Sequence, residues 1–152
     1  MLSPAAHAFD ANGVELGATE AQVLKAFPLA RCKPMSWKTH AADRRCDDAE
    51  VVVDGANARI SIYLRRDAVQ AFDLRFELND LPAITARLKE RYGVPNAERT
   101  EQFERGRNAR EIHKVEWKQG ADQAVLSSQA KRRRVDLNVW RGDFDTEIYR
   151  FR

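Results

Sequence analysis

The feature that most constrains the fold of this 152-residue chain is a two-residue alternation of apolar and polar side chains. The stretch "RISIYL" places Ile60, Ile62 and Leu64 on one side, and "AFDLRFEL" repeats the pattern from Phe72 to Leu78. Consecutive side chains of a β-strand point to opposite faces, so each stretch predicts a strand with one buried face and one wet face. "VVVDGAN", "IHKVEWK", "QAVLSS" and "RVDLNVW" are further strand candidates.

Two short amphipathic helices are predicted beside these strands. In "GATEAQVLKAFP", Thr19 and Gln22 have the spacing of a capping box, and Pro28 ends the helix. Asp80 is the predicted N-cap of the second helix, which ends at Gly93. Apolar residues at helical spacing give each helix one buried face: Val23, Leu24 and Phe27 in the first, and Leu81, Ile84, Leu88 and Tyr92 in the second.

The two halves of the chain show the same predicted order of one helix and three strands. Gly55 and Gly120 occupy equivalent turns, and "FDLRFE" corresponds to "VDLNVW". We therefore predict an α+β fold of tandem αβββ repeats, with the helices packed on one face of an antiparallel sheet. The first repeat covers 13–79 and the second covers 80–152, and both belong to one shared domain.

The segment before these repeats, residues 1–12, is interpreted as a tail or as the remnant of a signal peptide. Ala6-His7-Ala8 has the small-x-small pattern that export peptidases cleave, although the same tripeptide also arises by chance in an alanine-rich segment. No uninterrupted apolar run reaches the 18 residues that a transmembrane helix requires. The segment thus leaves export open, and no transmembrane span is predicted.

Cys32 and Cys46 enclose the stretch "KPMSWKTHAADRR". A zinc site that adds His40 does not have the usual ligand spacing, and the Cys-x-x-Cys pattern of a redox pair is missing. A disulfide would close a loop of about 15 residues, which contributes about 3 kcal/mol in the chain-entropy treatment and indicates an oxidising compartment. Two reduced thiols in a cytoplasmic protein are the alternative.

The stretch "GVELGATEAQVLKAF", followed by two cysteines and a strand hairpin, resembles the first repeat of the β-lactamase inhibitor protein family. More loosely, it resembles the SmpA/OmlA (BamE-like) outer-membrane assembly lipoproteins. The resemblance implies tandem repeats, a disulfide between helix and strand, and an open sheet face that binds another protein. The matching residues are Gly17, Thr19, Gln22, Val23, Leu24, Cys32 and Cys46.

The second half of the chain matches these families only in pattern. It has no cysteine, and its helix begins with "NDLPAI" instead of the G-x-T motif, so a second disulfide is excluded. The N-terminal residues show no lipid-accepting cysteine, and we do not expect lipoprotein behaviour. A shared fold does not imply a shared target.

The function predicted from these features is noncatalytic binding of another protein by an exported periplasmic or envelope module. No H-E-x-x-H, G-x-S-x-G or Gly-rich phosphate motif is present, and neither a metal site nor a cofactor is predicted. The 26 basic and 23 acidic residues are interspersed, which argues against obligate nucleic-acid binding. The alternatives are a cytoplasmic nucleic-acid-binding protein that uses "KRRR" at 131–134, an inhibitor of a secreted enzyme, and an enzyme whose site no linear motif reveals.

The residues predicted to contact the partner project from the sheet face opposite the apolar side chains, here called the open face. They are Tyr63, Arg75, Asn138, Trp140 and Arg141, and Tyr, Trp and Arg are the types that dominate interface energetics. Trp140 is the predicted exposed aromatic. Either a partner or the C-terminal "EIYRFR" would cover it.

Overall fold

The fold consists of one large antiparallel sheet, a small hairpin and three helices in the residues that the computed structural model describes, 8–103 and 109–150. The helices are α1 (Glu20–Ala26), α2 (Leu81–Tyr92) and α3 (Phe144–Glu147). The strands are β1 (Asp10–Ala11), β2 (Val14–Glu15), β3 (Arg31–Pro34), β4 (Arg44–Val53), β5 (Ala56–Arg65), β6 (Ala68–Glu77), β7 (Ala97–Phe103), β8 (Arg110–Gln119), β9 (Asp122–Gln129) and β10 (Arg134–Arg141).

The large sheet has eight strands in the order β3-β4-β5-β6-β10-β9-β8-β7. Each half of the chain forms a four-stranded meander, and the two meanders join where β6 pairs with β10. In that pairing Phe72 lies opposite Val139, and Leu74 lies opposite Leu137. The four side chains are at most 1% exposed, so the join between the two halves lies in the middle of the core.

The predicted α+β class is confirmed, but each half contributes four strands instead of the expected three. The two additional strands, β3 and β7, are the edges of the sheet. All residues of β3 and β7 are partly or fully exposed. An edge strand without a buried face has no apolar alternation, so the pattern that predicts the central strands is missing from both.

The main core is one cluster of buried side chains that come from the strands of the sheet, the small hairpin and the helices α1 and α2. Val23 and Phe27 from the α1 region belong to it, together with Ile84, Leu88 and Tyr92 from α2. Strands β4 to β6 and β8 to β10 supply most of its other side chains, including Val115 and Trp117 of β8, and the hairpin region adds Phe9 and Ala11. The core therefore runs continuously beneath both halves.

Side-chain capping explains where α1 begins, whereas α2 continues from a turn of 3-10 helix. The predicted capping box of α1 is confirmed, since the Gln22 amide donates to Thr19 Oγ1 at 3.2 Å and the Thr19 amide donates to Gln22 Oε1 at 2.9 Å. Asp80 is the N-cap of α2, but its side chain makes no capping hydrogen bond to a described residue. A turn of 3-10 helix, Leu78–Asp80, runs directly into α2 and gives Asp80 a helical backbone, whereas a capping side chain requires an extended one.

The small hairpin of β1 and β2 belongs to the fold. Phe9 and Ala11 are buried, and the Phe9 ring lies 4.8 Å from the ring of Tyr92. Arg91 of α2 forms an ion pair with Asp10 of β1, which ties the hairpin to α2. The Nη2 atom of Arg91 also donates to Asp54, in the turn between β4 and β5, at 3.0 Å. The predicted boundary at residue 12 therefore falls inside this hairpin. Residues 1–7, which hold Ala6 and His7 of the predicted cleavage motif, lie outside the described part of the chain.

The predicted disulfide between Cys32 and Cys46 is present. The two residues are directly opposite each other in the pairing of β3 with β4. Cys46 is fully buried, and Cys32 is partly exposed on the edge strand. The bond therefore fastens a four-residue edge strand to the rest of the sheet.

We expect the disulfide to form whenever the protein is made in an oxidising compartment. Intact mass after alkylation without reductant should show no modified thiol. Reduction should lower the melting temperature by about 5 to 10 °C, because about 3 kcal/mol of loop-closure free energy is lost.

The double variant Cys32→Ser, Cys46→Ser is the control for this experiment. It should melt near the temperature of the reduced protein and should not respond to reductant. Two freely alkylated thiols in the unreduced protein would contradict the expectation.

Candidate protein-binding face

The open face is the side of the large sheet that faces away from the main core. Strand alternation is observed as predicted, since Val135, Leu137 and Val139 of β10 are buried while Asn138 and Trp140 are partly exposed. A groove of about 640 Å³ lies on this face, across β6 to β10 and beside α3. We call it the central groove and define it by the lining residues Asp73, Arg75, Ser127, Asp136, Asn138 and Trp140.

Three of the five predicted contact residues line the central groove together: Arg75, Asn138 and Trp140. Tyr63 lies to one side, with its ring 5.3 Å from the ring of Phe144. Arg141 is exposed, and its guanidinium donates to both carboxylate oxygens of Asp122 at 2.8 and 3.2 Å. The predicted contact residues are therefore divided between the central groove and its surroundings.

Trp140 is partly buried, and this corrects its prediction as an exposed aromatic. Phe144 and Ile148 form a second apolar cluster with Ala41, Ala42 and Ala71, on the opposite side of the sheet from the main core, and Trp140 packs against it. The cluster exists because β10 continues into the short helix α3, which turns back over the sheet. Of the two predicted covers, the C-terminal segment is present; Phe151 of that segment lies outside the described residues.

The C-terminal cover is held by hydrogen bonds from the loop between β3 and β4. Trp37 Nε1 donates to the carbonyl oxygen of Ile148 at 2.9 Å. Thr39 Oγ1 donates to the carbonyl oxygen of Glu147 at 3.1 Å. The disulfide-closed loop and the C-terminal segment therefore support each other at one end of the open face.

Ion pairs account for most of the charged side chains around the central groove. Asp136 forms ion pairs with Arg75 at 3.1 Å and with Arg134 at 2.8 Å. Further along the sheet, Arg99 pairs with Glu116 at 2.8 Å, and in the other direction Arg45 pairs with Asp47 at 2.8 Å. Pairing of this kind keeps a mixed-charge surface close to neutral.

Asp73 differs from these paired groups because it is partly buried and has no ion pair with a described residue. It lies on β6 between Ser61 of β5 and Asn138 of β10, and no described residue forms a hydrogen bond or ion pair with its carboxylate. Burial, together with the nearby charge of Asp136, raises the pKa of Asp73 to about 7. Arg45 and Arg75 oppose this rise in the pKa only in part, because their guanidinium groups are bound to Asp47 and Asp136.

Sequence reasoning placed Asp73 on the open face but did not select it as a functional residue. Its signal is a carboxylate in the alternating stretch "AFDLRFEL", at the centre of a strand and not in a turn. Such a position costs desolvation free energy unless a partner neutralises the charge. The sequence alone does not reveal which acid each neighbouring arginine contacts, so it does not show that the charge of Asp73 lacks an ion pair.

Three residues of metal-ligand type lie close together where α1, β3 and β4 meet. Within 8–103 and 109–150, one group of ligand-type residues has its donor atoms within 4.8 Å of one another: Glu20, Cys32 and Cys46. Both sulfurs are used in the disulfide, and Glu20 Oε1 is bound to Arg44 Nε at 2.6 Å. These three residues are therefore occupied in holding β3 and α1 to the sheet.

No family model, no curated protein and no solved structure matches this chain. None of the helices in the described residues is long and apolar enough to cross a membrane. The interpretation of the open face therefore depends on its own geometry and charges.

The first prediction for this face concerns the C-terminal cover. Ile148→Ala should lower the free energy of unfolding by about 2 to 4 kcal/mol, because it removes a buried side chain and leaves a cavity. With 5-fluorotryptophan incorporated, the fluorine resonances of Trp37 and Trp140 should shift while that of Trp117 stays in place.

Tyr149→Ala is the matched control, since Tyr149 is 75% exposed and should contribute little to stability. An unchanged Trp140 resonance in the Ile148→Ala protein would show that the C-terminal segment does not cover this tryptophan.

The second prediction concerns the pH dependence that Asp73 produces. In the folded protein the raised pKa keeps the carboxyl group of Asp73 protonated up to about pH 7, whereas in the unfolded chain the same group loses its proton near pH 4. The free energy of unfolding therefore falls as the pH rises between these values. Asp73→Asn should be more stable than the parent at about pH 8, by on the order of 2 kcal/mol, and nearly equal to it at about pH 4.

Chemical denaturation of both proteins across this pH range measures the difference. Asp145→Asn is the control, because it removes an exposed carboxylate beside the same groove and should show no comparable trend. Asp73→Asn protein that is no more stable than the parent at about pH 8 would contradict the assignment.

Proposed function

We propose that this chain is a noncatalytic, exported protein-binding module of the periplasm or cell envelope, which contacts its partner through the open face. The observation that carries the proposal is the central groove, where Arg75, Asn138 and Trp140 lie together on the sheet beside the C-terminal cover. A groove with an aromatic edge and fixed polar groups has the character of a binding-energy hot spot.

The disulfide supports the exported location in this proposal. Disulfides persist in oxidising compartments and are rare where thiols are kept reduced. The bond between Cys32 and Cys46 anchors β3, and the same loop donates hydrogen bonds from Trp37 and Thr39 to the segment that borders the groove. An oxidising environment would therefore preserve the shape of the proposed binding surface.

The tandem-repeat relationship belongs to the same proposal. Each half of the chain has a helix followed by a four-stranded meander, and the resemblance to the inhibitor and assembly families rests on an αβββ unit. We propose that the halves derive from such a unit by duplication, with α1 and α2 as the equivalent helices on one face of the sheet. The open face would then be the surface that both units share.

The charge distribution favours a protein partner over a nucleic acid. The basic stretch 131–134 occupies the turn after β9 and the first residue of β10, and that residue, Arg134, is paired with Asp136. Nucleic-acid affinity depends on many free cations that neutralise phosphates, and the three other cations of this stretch are few beside the paired charges of the sheet. Inhibition of a secreted enzyme is one form that binding of a protein partner could take.

Site-specific photocross-linking tests the proposed face. A benzophenone amino acid at position 138 should give discrete adducts with a protein of the cell envelope. The same group at Ala83, an exposed position on α2, should give none of them. The adduct partner, once purified, should bind the unmodified chain and should bind the Asn138→Arg variant at least about tenfold more weakly.

Two results would contradict the proposed function. One is the same set of adducts from both positions, which would indicate nonspecific contact. The other is a purified partner that binds the Asn138→Arg variant as well as the parent.

A further inference from the structure

Deepening the proposed function, on which it rests, we propose that the central groove receives a single cationic side chain, arginine or lysine, from the partner protein and that this side chain pairs with Asp73. Each of the neighbouring guanidinium groups already has an acid: Arg75 and Arg134 share Asp136, and Arg45 binds Asp47. Among the described residues, no cation forms an ion pair with Asp73.

The position of Asp73 determines what can reach it. Strand pairing sets it between Ser61 and Asn138, so its two neighbours across the sheet are uncharged and polar. The groove of about 640 Å³ has room for a long side chain that extends onto the sheet. Lysine and arginine have the required reach, and their apolar stems can lie along the partly buried Trp140 at the edge of the groove.

The environment makes an ion pair at this position stronger than one on a flat surface. Folding has already removed part of the hydration of the partly buried carboxylate. A partner cation therefore gains attraction to the carboxylate, and the desolvation cost of that part of the carboxylate does not arise a second time. Burial raises the pKa of Asp73 to about 7, which is the expected response of a carboxylate without a cation. A seated guanidinium could donate two parallel hydrogen bonds to the carboxylate.

An anionic ligand fits the same groove poorly. Its arginines are engaged by Asp136, by Glu116 and by Glu101, at 2.8 to 3.1 Å. An incoming anion would have to break one of these pairs and would also meet the charge of Asp73. The charges that line the central groove therefore favour a cationic ligand over an anionic one.

The test uses N-acetyl-arginine amide as the probe, with N-acetyl-citrulline amide as its neutral isostere and N-acetyl-lysine amide as the second cation. The probes are titrated at about pH 8 into the full chain labelled with 15N and 13C. We expect saturable shifts of the Asp73 carboxyl carbon and the Asn138 side-chain amide, with binding at least about tenfold weaker for citrulline. The relative affinities of arginine and lysine identify which cation the groove takes.

Asp73→Asn should weaken binding of the arginine probe at least about tenfold, because it removes the charge and keeps the shape. Asp145→Asn, the matched control at the border of the groove, should retain binding within about twofold. Equal affinity for arginine and citrulline would overturn the proposal, and so would full retention of binding by Asp73→Asn.

The outcome can be separated from that of the proposed function. If the probe fails while the cross-link from position 138 is observed, the open face binds a protein without a cationic anchor, and this inference is wrong by itself. If the cross-link also fails, the open face is not the binding surface.

Discussion

The pairing of β6 with β10 is the interaction on which the rest of the structure depends. It joins two four-stranded meanders into one sheet, and it places Phe72 against Val139 and Leu74 against Leu137 in the main core. Because alternate residues of the same two strands point the other way, the pairing also builds the centre of the open face. Loss of this register would therefore disrupt the core and the central groove together.

The charges on the open face follow from the same register. Arg75 lies opposite Asp136, which makes an ion pair, whereas Asp73 lies opposite Asn138, which cannot neutralise it. A displacement of two residues along the strands would change which groups meet. The unpaired carboxylate thus results from how the two halves of the chain are aligned.

Sequence reasoning succeeded where burial leaves a periodic pattern. Ile60, Val115, Trp117 and Leu137 were recognisable as core residues because each lies in a strand with one buried face, and all are at most 2% exposed. The edge strands β3 and β7 lack such a face, so they could not be found in this way. The helix α3 has only four residues, too few for helical periodicity to be read.

The candidate site was predicted in outline for the same reason. Alternation placed Arg75, Asn138 and Trp140 on the open face, but it could not show that Ile148 returns to cover Trp140 or that Asp73 lacks a cation. Both facts depend on contacts between residues far apart in the chain. They are properties of the folded molecule: the sequence shows a carboxylate at the centre of a strand, but it does not show which cations reach that carboxylate.

Hydroxyl-radical footprinting of the complex is the most direct test of the central claim that the open face binds a protein. The partner would be purified through affinity capture with the unmodified chain, so that its identification does not favour any surface. We expect Tyr149 and Trp140, which line the central groove, to be protected from oxidation in the complex, while the exposed Leu29 and Val94 react as in the free chain. Protection of Leu29 and Val94, with Tyr149 and Trp140 unchanged, would contradict it.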